Sequence, residues 1–277
     1  MPRPNDAPGS ASVRGTQSVQ RAVGVLRCIA SMSPGPRLGQ IAEALEIDLG
    51  TAHRIVKGLS FEGLIQRRPE TRRYELGRVV YELGLAAAPA FPLRDLCRPV
   101  LDRLAQRTGD SIFLLVRSGL DAVCLERVEG GFPVQAHTLN VGARRPLGVG
   151  AAGMALLMSL PAAEVESVLI ANAERFRAWE KLSVDRLRQW IVAGRSAGVA
   201  VNEEQLMDGV SAIGCAFAVT APGETYRPPG LAAISIASIA SRMRGPRREE
   251  LQRMLRVEVQ ALNGCLSQAP GAVGRAT

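Results

Sequence analysis

Histidine, cysteine and aromatic residues are sparse in this 277-residue chain, and their scarcity removes several classes of protein. There are two histidines, His53 and His137, and His137 has no cysteine or acidic cluster at metal-ligand spacing around it. It reads as a structural or pocket residue rather than a catalytic base, and no metal or cofactor is expected. No G-x-S-x-G elbow is present, so a hydrolytic enzyme lacks its usual nucleophile and base. The five cysteines (Cys28, Cys97, Cys124, Cys215, Cys265) include no CxxC pair and sit mostly among apolar neighbours, which predicts buried thiols rather than disulfides or a zinc site. With aromatics at 4%, the cores must be built from Leu, Ile, Val and Ala. No run approaches the ~18 apolar residues that span a bilayer, and MPRPNDAPGSASVRGTQ lacks the apolar stretch of a signal peptide. A cytoplasmic protein with no membrane partner is expected.

What is present is ordinary globular material, 47% hydrophobic and 22% charged, in a length that suggests two domains. The net charge is +8, unevenly spread: residues 1–78 hold 12 Arg and Lys against 7 Asp and Glu, and the other 199 hold 22 against 19. A basic excess concentrated in a short N-terminal part fits a polyanionic partner.

Residues 1–17 are rich in Pro, Ser, Gly and Asn and are expected to be a disordered tail, as are residues 269–277. From Ser18, a possible N-cap, the residues Val19, Ala22, Val23, Leu26 and Ile29 recur at helical spacing, and the helix should stop before Ser33-Pro34-Gly35-Pro36. LGQIAEALEI then puts Leu38, Ile41, Ala42 and Leu45 on one face. After a short gap at residues 46–48, Ala52, Ile55, Val56 and Leu59 face inward on another helix. Two short amphipathic helices so joined make a helix-turn-helix. QRRPETRRYELG follows directly, two extended runs around a Pro-containing turn that carries Arg67, Arg68, Arg72 and Arg73. A basic hairpin after a recognition helix is a wing, and arginines at its tip can reach phosphates or the minor groove. The predicted winged helix-turn-helix covers residues 18–77, and LGRVVYELGLAAA continues into a linker helix over residues 78–92, with a role in dimerisation open to it.

Residues 93–268 form the second domain. A helix over residues 93–107 turns Leu96, Val100, Leu101 and Leu104 inward, with Pro99 kinking it or delaying its start. SIFLLVRS, AVCLERV and PVQAHTL read as three strands of an antiparallel meander. Helices are expected near residues 149–159, 161–172 and 183–197, strands near 210–220 and 230–238, and a final helix from Pro246. This is an α+β fold.

SVQRAVGVLRCIA, LGQIAEALEI, TAHRIVKGLSFEGLIQRR and YELG, in that order and spacing, resemble the DNA-binding part of IclR-family transcriptional regulators. RRPLGVGAAGMALL, GVSAIGCAFAV and LAAISIAS resemble that family's effector domain, so the likeness spans roughly residues 18–266. It implies a GAF-like antiparallel-sheet effector domain, a homodimer or dimer of dimers on a palindromic double-stranded operator, and a small organic acid as effector. Leu49 and Gly50 replace a polar or basic pair found in many members before the Thr. Met154 stands where Lys is common, and Ala212 and Ala237 occupy pocket positions that are polar in some members, which implies a ligand different from that of the best-known ones.

A recognition helix needs short polar residues at its N-terminus and longer donors one turn on. Leu49, Gly50, Thr51, His53, Arg54 and Lys57 meet that pattern, and Arg21 and Arg37 complete the candidate DNA contacts with the wing arginines. Arg54 suits either a guanine, bidentately, or a phosphate. His53 suits either a contact or half-burial against the helix pair, and the whole face suits a solvated helix with Thr51 as its cap. In the effector domain the small residues of 148–153 permit close backbone approach, and the N–H groups of Ala151, Ala152 and Gly153 can hold a carboxylate at a helix start. Asn202 and Ser235 add hydrogen bonds, and Leu147 and Met154 add apolar wall. The same small residues also suit tight helix–sheet packing alone, in which case the second domain serves only dimerisation.

Overall fold

The computed structural model describes residues 16–32, 34–136, 138–219 and 230–268. His137, the tail 269–277 and all but the end of the 1–17 tail lie outside the described residues. The chain divides into two compact units, Met1–Pro92 and Leu93–Thr277.

In the first unit, α1 (Gln17–Ser31), α2 (Leu38–Ala44) and α3 (Leu49–Phe61) precede a hairpin of β1 (Ile65–Arg67) and β2 (Tyr74–Leu76), then α4 (Arg78–Ala87) and one 3-10 turn at Ala88–Ala90. Helix α1 begins at Gln17, with Thr16 rather than Ser18 at the N-cap position. Val25, Cys28, Ile29, Ile41, Val56, Leu59, Ile65 and Tyr74 form one core, so the three helices and the hairpin fold as a unit. The α2–α3 turn is a Schellman closure: Glu46 N–H donates to the Glu43 carbonyl and Ile47 N–H to the Ala42 carbonyl, with Glu46 at φ +51°. Gly35 approaches the hairpin so closely that a Cβ there would lie 1.9 Å from the Tyr74 carbonyl oxygen. Helix α4 has no fully buried residue within its unit, and Tyr81, Leu83 and Leu85 are exposed.

The second unit is a six-stranded antiparallel sheet between helical layers. Its elements are α5 (Leu93–Thr108), β3 (Ser111–Ser118), β4 (Asp121–Val128), β5 (Arg144–Pro146), α6 (Gly150–Met158), α7 (Ala162–Phe176), α8 (Val184–Ala197), β6 (Ala200–Glu203), β7 (Val210–Val219), β8 (Gly230–Ile239) and α9 (Gly245–Gln268). The strand order is β5-β4-β3-β8-β7-β6. Strand alternation divides the core: Ile112, Leu114, Ile234 and Ile236 pack with α5 and α9, whereas Phe113, Leu115, Ala233 and Ala237 pack with α6. Ala151 through Leu157 are all buried, as expected of a helix apolar on every side.

Two sequence expectations fail here, and one strand was not foreseen. Residues 133–136 and 138–139 are not a strand; Gln135 turns its amide onto the Gly109, Gly130 and Phe132 carbonyls, and the sheet takes Arg144–Pro146 as its edge instead. Strand β6, four residues on the opposite edge, had no periodicity long enough to read. Leu96 is 52% exposed, because α5 turns Leu93, Cys97, Val100 and Leu101 inward and runs through Pro99.

Candidate functional site

Helix α3 is amphipathic in a way that leaves one face unoccupied by its own unit. Ala52, Val56 and Leu59 are buried, while Leu49, Gly50, His53, Arg54 and Lys57 are exposed. Exposure of His53 sets aside its half-buried alternative. Asp48, not Thr51, caps the helix: Asp48 Oδ1 accepts the Thr51 N–H at 2.8 Å. The side-chain hydrogen bond with Thr51, and then the Thr51 backbone N–H, hold the Asp48 carboxyl below its ordinary value. Thr51 Oγ1 in turn accepts from Arg54 Nη2 at 3.2 Å, which directs the guanidinium toward the helix N-terminus.

The wing distributes its arginines unequally. Arg68 pairs with Glu75 at 2.6 Å, and the Arg67 guanidinium lies 5.9 Å from the centroid of the Tyr74 ring. Arg72 is exposed in the turn, at φ +57°. Arg73 departs from the expectation of four arginines at the tip: its Nη1 donates to the Gly35 carbonyl at 2.8 Å, tying the wing to the turn before α2. Arg37 is exposed at the α2 N-cap position, and Arg21 is half-buried on α1.

In the second unit, α6 starts against the sheet and a cavity of about 40 Å³ opens beside its N-terminus. Gly214 of β7 makes the approach possible, since a Cβ there would stand 2.4 Å from the Ala151 carbonyl oxygen. Gly150 takes φ +77° to turn the chain into the helix. The cavity brings together Ala151, Ala152, Gly153, Asn202, Ala212, Ser235 and Ala237, drawn from α6, β6, β7 and β8. It does not include Leu147 or Met154, which are buried in the core shared by the sheet with α6, α7 and α8. The volume corresponds to about three water molecules, so a larger ligand requires wall residues such as Leu206 and the half-exposed Met207 to move outward.

Sequence reasoning missed Phe113, Leu115, Thr138, Leu139, Leu206 and above all Arg145 on the cavity wall. Alternation on the edge strand was the available signal. Arg144 reaches Asp121 at 3.2 Å and the Ser118 hydroxyl at 3.1 Å, and its neighbour Arg145 lines the cavity. Desolvation lowers the Arg145 pKa, a direction that marks a guanidinium taken from water. Burial also pushes the Cys97 thiol up to about 12 and Cys124 to about 11, which keeps both protonated and inert. Cys28 is likewise a free buried thiol, and Cys215 is free and half-buried. Among the described residues no group of His, Cys, Asp or Glu side chains is placed to hold a metal ion, and no helix is long and apolar enough to cross a membrane.

A winged helix with a solvent-facing recognition helix, followed by a sheet domain with a lined cavity, defines a DNA-binding transcriptional regulator with an effector-binding domain. Residues 18–69 match the IclR helix-turn-helix domain and residues 86–263 the bacterial transcriptional regulator IclR C-terminal domain. The chain belongs to the IclR family. It is 26% identical over 242 residues to the HTH-type transcriptional regulator XynR of Escherichia coli, covering 86% of this chain and 93% of that one. It is 30% identical over 221 residues to the probable transcriptional regulator SauR of Cupriavidus necator, covering 78% and 83%. Among solved structures, an IclR regulator from Silicibacter sp. superposes with a TM-score of 0.74 at 18% identity, over 94% of this chain and all of that one. An IclR homologue of Microbacterium hydrocarbonoxydans, solved with 4-hydroxybenzoate, superposes at 0.66 and 21% identity, over 91% of this chain and 100% of that one. XynR and SauR both carry the name of a transcriptional regulator.

Proposed function

We propose that the protein binds a palindromic operator as a homodimer or dimer of dimers and that a small organic carboxylate in the second unit's cavity shifts its affinity for that DNA. The observation that carries the reading is the exposed face of α3, with Arg54 and Lys57 in solvent while Ala52, Val56 and Leu59 hold the helix to the core. In this reading Leu49, Gly50, His53, Arg54 and Lys57 enter the major groove. Arg67, Arg68 and Arg72 meet the backbone or minor groove, with Arg21 and Arg37 on flanking phosphates. Arg73 stabilises the wing from behind. The exposed apolar residues of α4 suit a subunit contact. Ala151, Ala152 and Gly153 offer backbone N–H groups to the carboxylate, with Asn202 and Ser235 as further polar partners. The ligand acts by favouring one conformational population over another.

The test is a fluorescence-anisotropy titration against DNA upstream of the protein's own gene and a scrambled duplex. Preference for the upstream DNA, with affinity falling steeply with salt as expected when ~6–10 phosphates are neutralised, supports the reading. Equal binding of the two duplexes sinks it.

A further inference from the structure

Among the described residues Arg145 is the one charged side chain that lines the cavity. Among the described residues no carboxylate pairs with it; its guanidinium donates to the Thr138 carbonyl, and its electrostatic neighbour is the Cys124 thiol. Burial holds that thiol in the neutral form, with its pKa pushed up to about 11. The neighbouring Arg144 shows the contrast, being held by Asp121. The guanidinium also sits at the foot of α6: a Cβ on Gly150 would lie 4.0 Å from Arg145 Nη1. Helix α6 has neither a side-chain cap nor an acidic residue in its first turn. Two positive groups, a partly desolvated guanidinium and an uncapped helix start, therefore converge on one largely apolar space without an anion between them among the described residues. Phe113, Leu115, Leu139 and Leu206 line the remainder.

We propose that Arg145 is the specificity-determining residue of the cavity, selecting a compact organic carboxylate with an apolar body by pairing with its carboxylate through the guanidinium fork. This rests on the reading that the cavity takes the effector, and adds the residue that sets its charge preference. Arg145 presents several N–H donors in a plane that matches a carboxylate, and a charge-assisted hydrogen bond is roughly twice as strong as a neutral one. The primary amide of the same acid keeps the shape and one acceptor but loses the charge. The cavity therefore discriminates acid from amide, and Arg145 is the source of the discrimination.

The experiment is calorimetric titration of the full-length protein with matched pairs of equal shape: benzoate and benzamide, 4-hydroxybenzoate and 4-hydroxybenzamide, pyruvate and pyruvamide. The wild type should bind at least one acid about 10- to 100-fold more tightly than its amide, the range of a charge-assisted pair. Arg145→Gln should lose that ratio, with acid and amide within about threefold of each other, while Arg145→Lys retains a reduced preference because it keeps the charge without the fork. The ratio separates this role from a structural one, because loss of the Thr138 contact alone changes stability without changing acid-to-amide preference. If Arg145→Gln does not fold by circular dichroism, the wild-type ratio and Arg145→Lys carry the test. Equal binding of acids and amides by the wild type, or an unchanged ratio in Arg145→Gln, overturns the role of Arg145 and leaves the cavity as an effector site. Binding of no member of either series overturns both.

Discussion

Gly214 on β7 faces the Ala151 carbonyl at the start of α6, with room for hydrogen and for nothing larger. A Cβ at that position would also lie 2.9 Å from the Ala152 nitrogen. Because both atoms are backbone, Gly214→Ala must push α6 off the sheet. We expect a loss of about 1–3 kcal/mol in urea unfolding, the usual cost of overpacking, together with weakened binding of any ligand in the adjoining cavity. Unchanged unfolding would show that α6 shifts freely.

Glu46 holds the left-handed position that closes α2, a place where glycine meets no steric penalty. Glu46→Gly should raise stability by about 0.5–1 kcal/mol, the left-handed cost of an L-residue less the added freedom of glycine in the unfolded chain. Glu46→Val should lower it, since a β-branched side chain tolerates that conformation least. Both are read by thermal unfolding.

Asp48 links the start of α3 to pH. Hydrogen bonding from Thr51 lowers its pKa from the ordinary 3.8, so its contribution to stability is present above that value and is lost as pH falls through the lower folded value. Asp48→Asn keeps an acceptor for the Thr51 N–H and removes the titration. The stability difference between wild type and Asp48→Asn should therefore shrink as the solution is acidified below pH 3.8. A difference that is constant through the acid range would refute the linkage.

Asp110 is a buried carboxylate shared by three donors: Ser238 Oγ at 2.7 Å, Arg242 Nε at 3.2 Å and Arg247 Nη2 at 2.9 Å. Its side chain is 1% exposed, and Arg242 also stacks 3.8 Å from the centroid of the Phe132 ring. Asp110→Ala leaves two guanidinium groups facing a cavity without a counter-ion, and should cost about 3–5 kcal/mol. Denaturant unfolding measures it.

On DNA, Arg54 and Lys57 should behave differently. If Arg54 reads a base, Arg54→Ala lowers upstream-DNA affinity by about 10- to 100-fold and reduces the preference over scrambled DNA. If Lys57 meets a phosphate, Lys57→Ala weakens both duplexes alike and lowers the salt slope by about one. Anisotropy titrations at several salt concentrations separate the two.

The first unit was legible in the sequence because its signals are local. Helical spacing from Val19 to Ile29, the inward set Ala52, Ile55, Val56 and Leu59, and the arginine-rich hairpin each depend on residues a few positions apart. Where local signals were short or ambiguous, reading failed. Residues 133–139 alternate like a strand, yet Gln135 binds three carbonyls of neighbouring turns. Strand β6 spans four residues, and Thr51 looked like a cap until Asp48 took that place.

By itself, then, the sequence determined the winged helix, the helical and strand character of most of the second unit, and the cluster of small residues at 148–153, since periodicity and turn chemistry act over a few residues. Only the tertiary structure decided the cavity. Its wall is assembled from β3, β5, α6, β6, β7 and β8, segments spread along the chain that antiparallel pairing and close helix–sheet packing bring together. That assembly put Leu147 and Met154 in the core, turned Arg73 back to Gly35, and left Arg145 beside the start of α6 with no carboxylate to pair it among the described residues. Arg144 and Arg145 are neighbours on β5, so strand alternation sends them to opposite faces, and the register of β5 on β4 decides which of the two meets the cavity.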